Sequence, residues 1–300
     1  MNHKETIKER KWWLAGLFSF LMPGLGQVYN GQATKGLFFN FLYSTWGAVT
    51  FVFIYYVMNQ SVIGLHLGFL YSCITISMIA SLLIILDSIF IAKRQMPIYI
   101  IKPYNKWYIY LIVILIGSGI YYSMEQTIKN NVVRAFKIPS SSMKPSLLPG
   151  DYVLCNHIHY QTHNPARGDI IVFNYPRNER VKFIKRIIGI PGDTIEVKDN
   201  QAFVNNQKIE EPYALYAHPG NTPKNSKKNF GPVTVLENEY FVMGDNRDNT
   251  RDSRYFGMVK RQKIDGKAVV TYFSWDSYIP SWNIFNRLFS IRFSRIGKSL

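Results

Sequence analysis

Cysteine is scarce: the 300 residues contain two, Cys73 and Cys155. Cys73 falls in an apolar run and Cys155 in a run of strand character, so no disulfide framework is expected. Acid is also in short supply, with 19 Asp and Glu against 35 Lys and Arg, a formal charge of +16. Such an excess suits nucleic acid or anionic lipid headgroups. The basic residues do not interleave with aromatics as in nucleic-acid readers, so a lipid surface is the expected partner and nucleic acid is not. Histidine is limited to six residues, His3, His66, His157, His159, His163 and His218. His157, His159 and His163 read as alternating polar positions along a strand edge. No cysteine or carboxylate cluster accompanies them, so no metal is expected.

Charge is distributed unevenly. Residues 1–124 hold 12 of the 54 formally charged side chains, and residues 125–300 hold 26 basic and 16 acidic ones. The first part reads as a membrane module and the second as a water-exposed domain long enough for its own core. Crossing a bilayer takes roughly 20 apolar residues. Three segments reach that length: about 36–57, about 63–92 and 107–124. The run Trp12–Met22 is interrupted by Pro23-Gly24 and is expected to be re-entrant or interfacial within about 12–29, not spanning. No cleavable signal peptide is expected, since no small-residue cleavage site follows. Basic residues cluster in Met1–Lys11 and Lys93–Lys106, whereas Met58–Val62 is uncharged. Positive charge favours the cytoplasmic side, which puts residues 125–300 outside. Asp87 is ionisable within an expected span and is expected to be structural. The glycines of Pro23–Gln32 allow close helix approach.

The expected division is therefore residues 1–106 as N-terminal membrane module, 107–124 as a span leading out, and 125–300 as an extracytoplasmic domain. In that domain, short β-branched and aromatic runs recur at Tyr152–Cys155, Ile170–Phe173, Thr194–Val197, Ala202–Val204, Tyr240–Met243 and Ala268–Phe273. Turn signals such as Pro149-Gly150-Asp151 and Pro191-Gly192-Asp193 separate them. The expected class is a mainly β domain, coiled antiparallel sheets or a barrel, preceded by an α-helical transmembrane module. Ala217–Asn229 reads as an exposed loop.

Ser142 lies in a serine cluster held between Pro139 and Pro145, shortly after the third apolar segment. A serine hydroxyl needs a base to become a nucleophile. With the histidines poorly placed, lysine is the candidate. Lys185 stands between Phe183-Ile184 and Ile187-Ile188, where burial can lower its pKa from the ordinary value of about 10.4.

These residues carry a resemblance. Ile138–Asp151, Arg167–Phe173, Phe183–Asp193 and Gly244–Gly257 follow one another as in the bacterial type I signal peptidases, membrane-bound serine–lysine proteases. Phe230–Val233 and Ser294–Gly297 fit as well, so the likeness covers about 134–297. It implies Ser142 as nucleophile, Lys185 as general base and Ser140 as an oxyanion-binding hydroxyl. Thr250 stands where a hydroxyl orients the lysine, and Asp252 and Arg254 where an ion pair supports the dyad. Ile138, Met143 and Ile184 are expected to form shallow pockets for small residues before the cut. Ser141 stands where glycine is common and is expected to be a bystander. The resemblance implies no cofactor. It implies exported preproteins with signal peptides as substrates, bound as an added strand, and a multi-pass place in the bacterial cytoplasmic membrane, near the protein-export channel. It says nothing of residues 1–106. Two other readings remain: a self-cleaving serine–lysine repressor, which the apolar segments oppose, and a membrane assembly protein with an inactive protease domain. A penicillin-binding enzyme would need lysine where Pro145 stands.

Overall fold

The computed structural model describes residues 10–59, 67–94, 102–216, 227–280 and 282–300. The chain divides into two compact units, one of residues 1–57 and 66–128, the other of residues 58–65 and 129–300.

The first unit is helical: α1 (Trp12–Leu21), α2 (Leu25–Tyr29), α3 (Ala33–Asn59), α4 (Leu67–Arg94) and α5 (Trp107–Asn131), whose last residues fall in the second unit. The ten residues of α1 rise only ~15 Å, half of a ~30 Å hydrocarbon core. Tyr71–Arg94 and Trp107–Thr127 are long and apolar enough to cross a membrane; α3, which holds the other expected span, does not reach that apolarity among its described residues. The uncharged turn at 58–62 and the basic stretch at 1–11 fall largely outside the described residues, as do residues 95–101 of the second basic stretch.

The structure accounts for the Pro23–Gln32 glycines. Gly24 has φ +92°, and a Cβ on it would lie 2.1 Å from the Gly36 carbonyl oxygen. A Cβ on Gly26 would lie 2.2 Å from the Ala15 carbonyl oxygen. Backbones therefore meet where any side chain would hold them apart. Several polar groups buried by that contact are paired, which offsets their cost in an apolar environment. Gln27 Nε2 donates to the Ile84 carbonyl (2.8 Å) and to Asp87 Oδ2 (3.0 Å), and Lys35 Nζ pairs with Asp87 Oδ1 at 2.7 Å. Asp87 thus ties α2, α3 and α4, the structural role expected of it.

The second unit is mainly β, as expected. Its strands are β1 (Val133–Lys137), β2 (Asp151–Asn156), β3 (Ile170–Tyr175), β4 (Asn178–Gly189), β5 (Thr194–Lys198), β6 (Gln201–Val204), β7 (Gln207–Lys208), β8 (Phe230–Thr234), β9 (Glu239–Met243), β10 (Val259–Lys260), β11 (Ile264–Ser274) and β12 (Lys298–Ser299). They form two antiparallel sheets, ordered β1-β2-β11-β3-β4-β9-β10 with β12 beside β11, and β7-β6-β5-β8. Short helices α6 (His159–Thr162), α7 (Ser253–Phe256) and α8 (Ile284–Phe289) punctuate them. Alternating side chains build the cores, because successive strand residues face opposite ways. Ile195, Val197, Ala202 and Val204 from the small sheet meet Ile188, Phe241 and Met243 from the large one.

Three turns share one device. Asp151, Asp169 and Asp193, each after a glycine, accept the N–H three residues earlier, of Leu148 (2.8 Å), Ala166 (3.0 Å) and Ile190 (2.9 Å). Each also holds a cation, Arg295, Lys267 and Arg167 respectively. Gly150 must be glycine: its φ is +95° and a Cβ would sit 2.1 Å from the Trp275 carbonyl oxygen.

Two sequence expectations need correction or trimming. The three histidines do not alternate along a strand. Asn156 Oδ1 accepts from the N–H groups of Ile158 and His159, both at 3.0 Å, which bends the chain out of β2 into α6. His159 and His163 then stack one helical turn apart, ring centres 4.8 Å from each other. The loop expected over Ala217–Asn229 lies outside the described residues except for its last three.

Candidate active site

The Ser142 loop begins where β1 runs out of hydrogen bonds. Ile138 still pairs with β2 through its N–H to the Asp151 carbonyl (2.8 Å) and its carbonyl to the Gly150 N–H (2.9 Å). Pro139 has no N–H to continue the ladder, and the chain turns. Met143 and Leu147, both fully buried, anchor the turn in a cluster with Ile138, Val153, Ile170 and Ala268. Ser142 is left facing Lys185.

Lys185 arrives on β4, opposite Ile171 of β3. It is 4% exposed. Its Nζ donates to Ser142 Oγ at 2.9 Å and to the Ile184 carbonyl at 2.8 Å. Burial pushes its pKa down from 10.5 to about 8, while the charges of Asp252 and Asp245 pull the other way. A lysine so held is half neutral near pH 8 and can take a proton from Ser142. Ser140 Oγ lies 3.2 Å from Ser142 Oγ, and the Ser142 N–H has no acceptor among the described residues. Both are available to a developing oxyanion.

The surroundings are ionic and buried. Arg254 grips Asp252 through Nε–Oδ1 and Nη2–Oδ2, both at 2.9 Å, with neither side chain exposed. Its remaining donors reach Asn200 Oδ1 and the carbonyls of Lys227 and Arg247. Arg186, next to Lys185, makes a fork to Asp245 (2.9 and 2.8 Å) and lies 4.0 Å from the centre of the Tyr213 ring. Asp245 leads into Asn246, whose N–H donates to the Ser142 carbonyl and whose Nδ2 donates to the Ser141 carbonyl, both at 3.1 Å. The Arg186–Asp245 and Asn246–Ser141 contacts were not anticipated. An arginine inside the apolar run Ile184–Ile190 was the available sign of a buried ion pair.

The dyad opens into a cleft of about 560 Å³ lined by Pro139, Ser140, Val181–Lys185, Asp248–Arg251 and Tyr255. The family model for "Signal peptidase, peptidase S26" matches residues 106–275, more than half of the chain.

The chain belongs to the S26 signal peptidase family.

The curated relatives agree. A "Probable signal peptidase I-2" of Synechocystis is 40% identical over 150 residues, 48% of this chain and 65% of that one. "Signal peptidase I" of Aquifex aeolicus is 35% identical over 238 residues, 58% of this chain and 92% of that one. A crystal structure of a signal peptidase I from Enterococcus faecalis V583 is 39% identical and matches 35% of this chain and 97% of that one, at a TM-score of 0.30. That likeness is one of sequence; the fold rests on the coordinates. As an S26 peptidase the chain is a serine endopeptidase of a membrane-associated family. Residues 1–105 lie outside the match.

Two expectations about this S26 site change with the geometry. Of the expected pocket residues only Ile184 lines the cleft; Ile138 and Met143 are 2% and 0% exposed and pack beneath it, because Ile138 still belongs to the β1 ladder and Met143 anchors the turn. Pro139, Val181 and Phe183 line the cleft beside Ile184. The Thr250 hydroxyl is buried without a hydrogen-bond partner among the described residues. It is packed against Gly244, where a Cβ would lie 2.2 Å from it, so the Ile184 carbonyl, not Thr250, holds the lysine. The Ser141 hydroxyl accepts from Asn249 Nδ2 at 3.1 Å.

Proposed function

We propose that this S26 peptidase removes signal peptides from exported preproteins, with Ser142 as nucleophile and Lys185 as general base. The observation that carries the reading is the 2.9 Å bond between Lys185 Nζ and Ser142 Oγ inside a buried, pKa-lowered site. Neutral Lys185 takes the hydroxyl proton as Ser142 attacks the scissile carbonyl. The oxyanion is held by the Ser142 N–H and the Ser140 hydroxyl. Lys185 then gives its proton to the leaving amine, and water, activated by the same lysine, releases the acyl group.

Substrate lies extended as an added strand. β4 pairs with β9 only from Arg186 onward, so the backbone of Val181–Lys185 has an open edge along the cleft. Main-chain bonds supply affinity there and shallow apolar walls limit side-chain size.

The enzyme sits in the bacterial cytoplasmic membrane with three spans, within α3, α4 and α5, and a non-spanning α1–α2. The second unit then faces outward, beside the exit of exported chains. Apolarity of Tyr71–Arg94 and Trp107–Thr127 supports this, as do the basic flanks. Tyr278, Trp282, Phe285 and Phe289, each at least 74% exposed, suit the lipid interface; Trp275 instead packs on Tyr152, Phe273 and Arg287.

The test is cleavage of a labelled preprotein by the detergent-solubilised chain. Wild type cuts at a small residue and Ser142→Ala does not. Equal cleavage by both refutes the reading.

A further inference from the structure

The charged groups lining the cleft are not equally available. Lys185 is the base. Lys182 Nζ is taken by Asn174 Oδ1 at 3.0 Å and Asp265 Oδ2 at 3.1 Å. Asp248 is 8% exposed and accepts from Asn200 Nδ2 at 2.7 Å. Arg251 differs. It lines the same cleft, its side chain is exposed, and no hydrogen bond or ion pair engages it among the described residues. Its neighbour Asp252 cannot serve it, because both carboxylate oxygens are committed to Arg254.

Nor does the adjoining wall bring a competing acid. Lys227 donates its N–H to Tyr255 Oη at 2.7 Å and its Nζ to the Arg254 carbonyl at 2.9 Å, beside the cleft. The described residues that follow it, Lys228 and Asn229, bring no acid. Asp248, the one acid lining the cleft, is held by Asn200, so among the described residues Arg251 is a cleft cation with no bonded counter-ion.

The distance from the dyad is short. A Cβ on Gly244 would lie 2.2 Å from Thr250 Oγ1 and 2.6 Å from the Ser142 carbonyl oxygen, so Arg251 is one residue removed from a side chain packed beside the nucleophile. An extended substrate advances ~3.3 Å per residue, which puts the reach of an arginine about two to three residues from the cut.

We propose that Arg251 makes the peptidase prefer preproteins carrying Asp or Glu within those flanking residues. Arginine suits this, since its planar fork matches a carboxylate with two parallel N–H···O bonds. The inference rests on the cleft being the peptide-cleaving site.

The test uses one preprotein, varied singly to Asp, Asn or Lys at each position flanking the cut, with the full solubilised chain as wild type, Arg251→Lys, Arg251→Ala and Arg251→Glu. At one position wild type should cleave the Asp form about three- to fivefold faster than the Asn form in kcat/KM, the range of a partly exposed ion pair. The preference should fade in high salt. Arg251→Lys should keep its sign, Arg251→Ala should flatten it, and Arg251→Glu should favour the Lys form. Charge-independent cleavage by wild type, or a preference unchanged in Arg251→Glu, overturns the proposal while the peptidase reading stands. Failure of wild type to cleave any form sinks that reading and this inference with it.

Discussion

Replacing Lys185 by methionine should abolish cleavage and stabilise the fold. The lysine is held at a pKa of about 8 instead of 10.5. At ~1.36 kcal/mol per pKa unit, that difference represents about 3 kcal/mol. In catalysis it makes about one lysine in ten neutral at pH 7, against about one in three thousand for an ordinary lysine. In stability it acts as a cost. The unfolded chain keeps the lysine protonated up to about pH 10.5 and the folded chain only up to about pH 8. Folding stability therefore rises with pH between those values, and the cost is complete below about pH 8. Methionine has similar volume and no charge to bury. Urea unfolding of the solubilised chain, followed by near-ultraviolet circular dichroism, should show Lys185→Met more stable than wild type by up to about 3 kcal/mol at pH 7. The advantage should fade toward pH 10.5. In parallel, wild-type kcat/KM should rise about tenfold per pH unit below pH 8 and then level off. A plateau already reached at pH 6, or a methionine variant no more stable at pH 7, refutes the argument that burial tunes this base.

Ser140→Ala should lower kcat by about tenfold or more with little change in KM, since an oxyanion donor acts mainly in the transition state; steady-state kinetics on a peptide substrate decides. Ser141→Ala and Asn249→Ala should each lower kcat severalfold, and their double variant should show a coupling of about 1 kcal/mol, because the two changes remove the same hydrogen bond. Additive effects would mean that the bond does not hold the nucleophile loop. Asp252→Ala leaves Arg254 buried without its carboxylate and should cost about 3–5 kcal/mol in unfolding measurements. Simultaneous Arg254→Met should restore part of that stability. Any active Asp252→Ala protein should show its acid limb at lower pH, because a negative charge that favours protonated Lys185 has gone.

Much of this protein is set by residue order alone. Scarce charge before residue 125 and period-two runs after it determine an apolar helical part and a β part, because a long apolar run favours helix and alternation puts one face of a strand in the core. Gly-Asp turns at 150–151, 168–169 and 192–193 are equally local: the carboxylate needs only the N–H three residues back. Ser142 and Lys185 are legible from their neighbours and from the order of the four blocks around them. The rest required chain segments to meet. Whether Lys185 loses its charge depends on how far the assembled site buries it against the opposing pull of Asp252 and Asp245, and desolvation is a property of that assembled site. Ile138 and Met143 look like pocket residues in sequence, but the β1–β2 ladder and the buried turn point them into the core. Thr250 has the right hydroxyl and, packed against Gly244, no partner for it. Ser141 acquires a partner only when Asn249, 108 residues away, reaches its hydroxyl. Side-chain direction follows from local backbone, whereas the partner a side chain meets follows from the register of strands far apart in the chain.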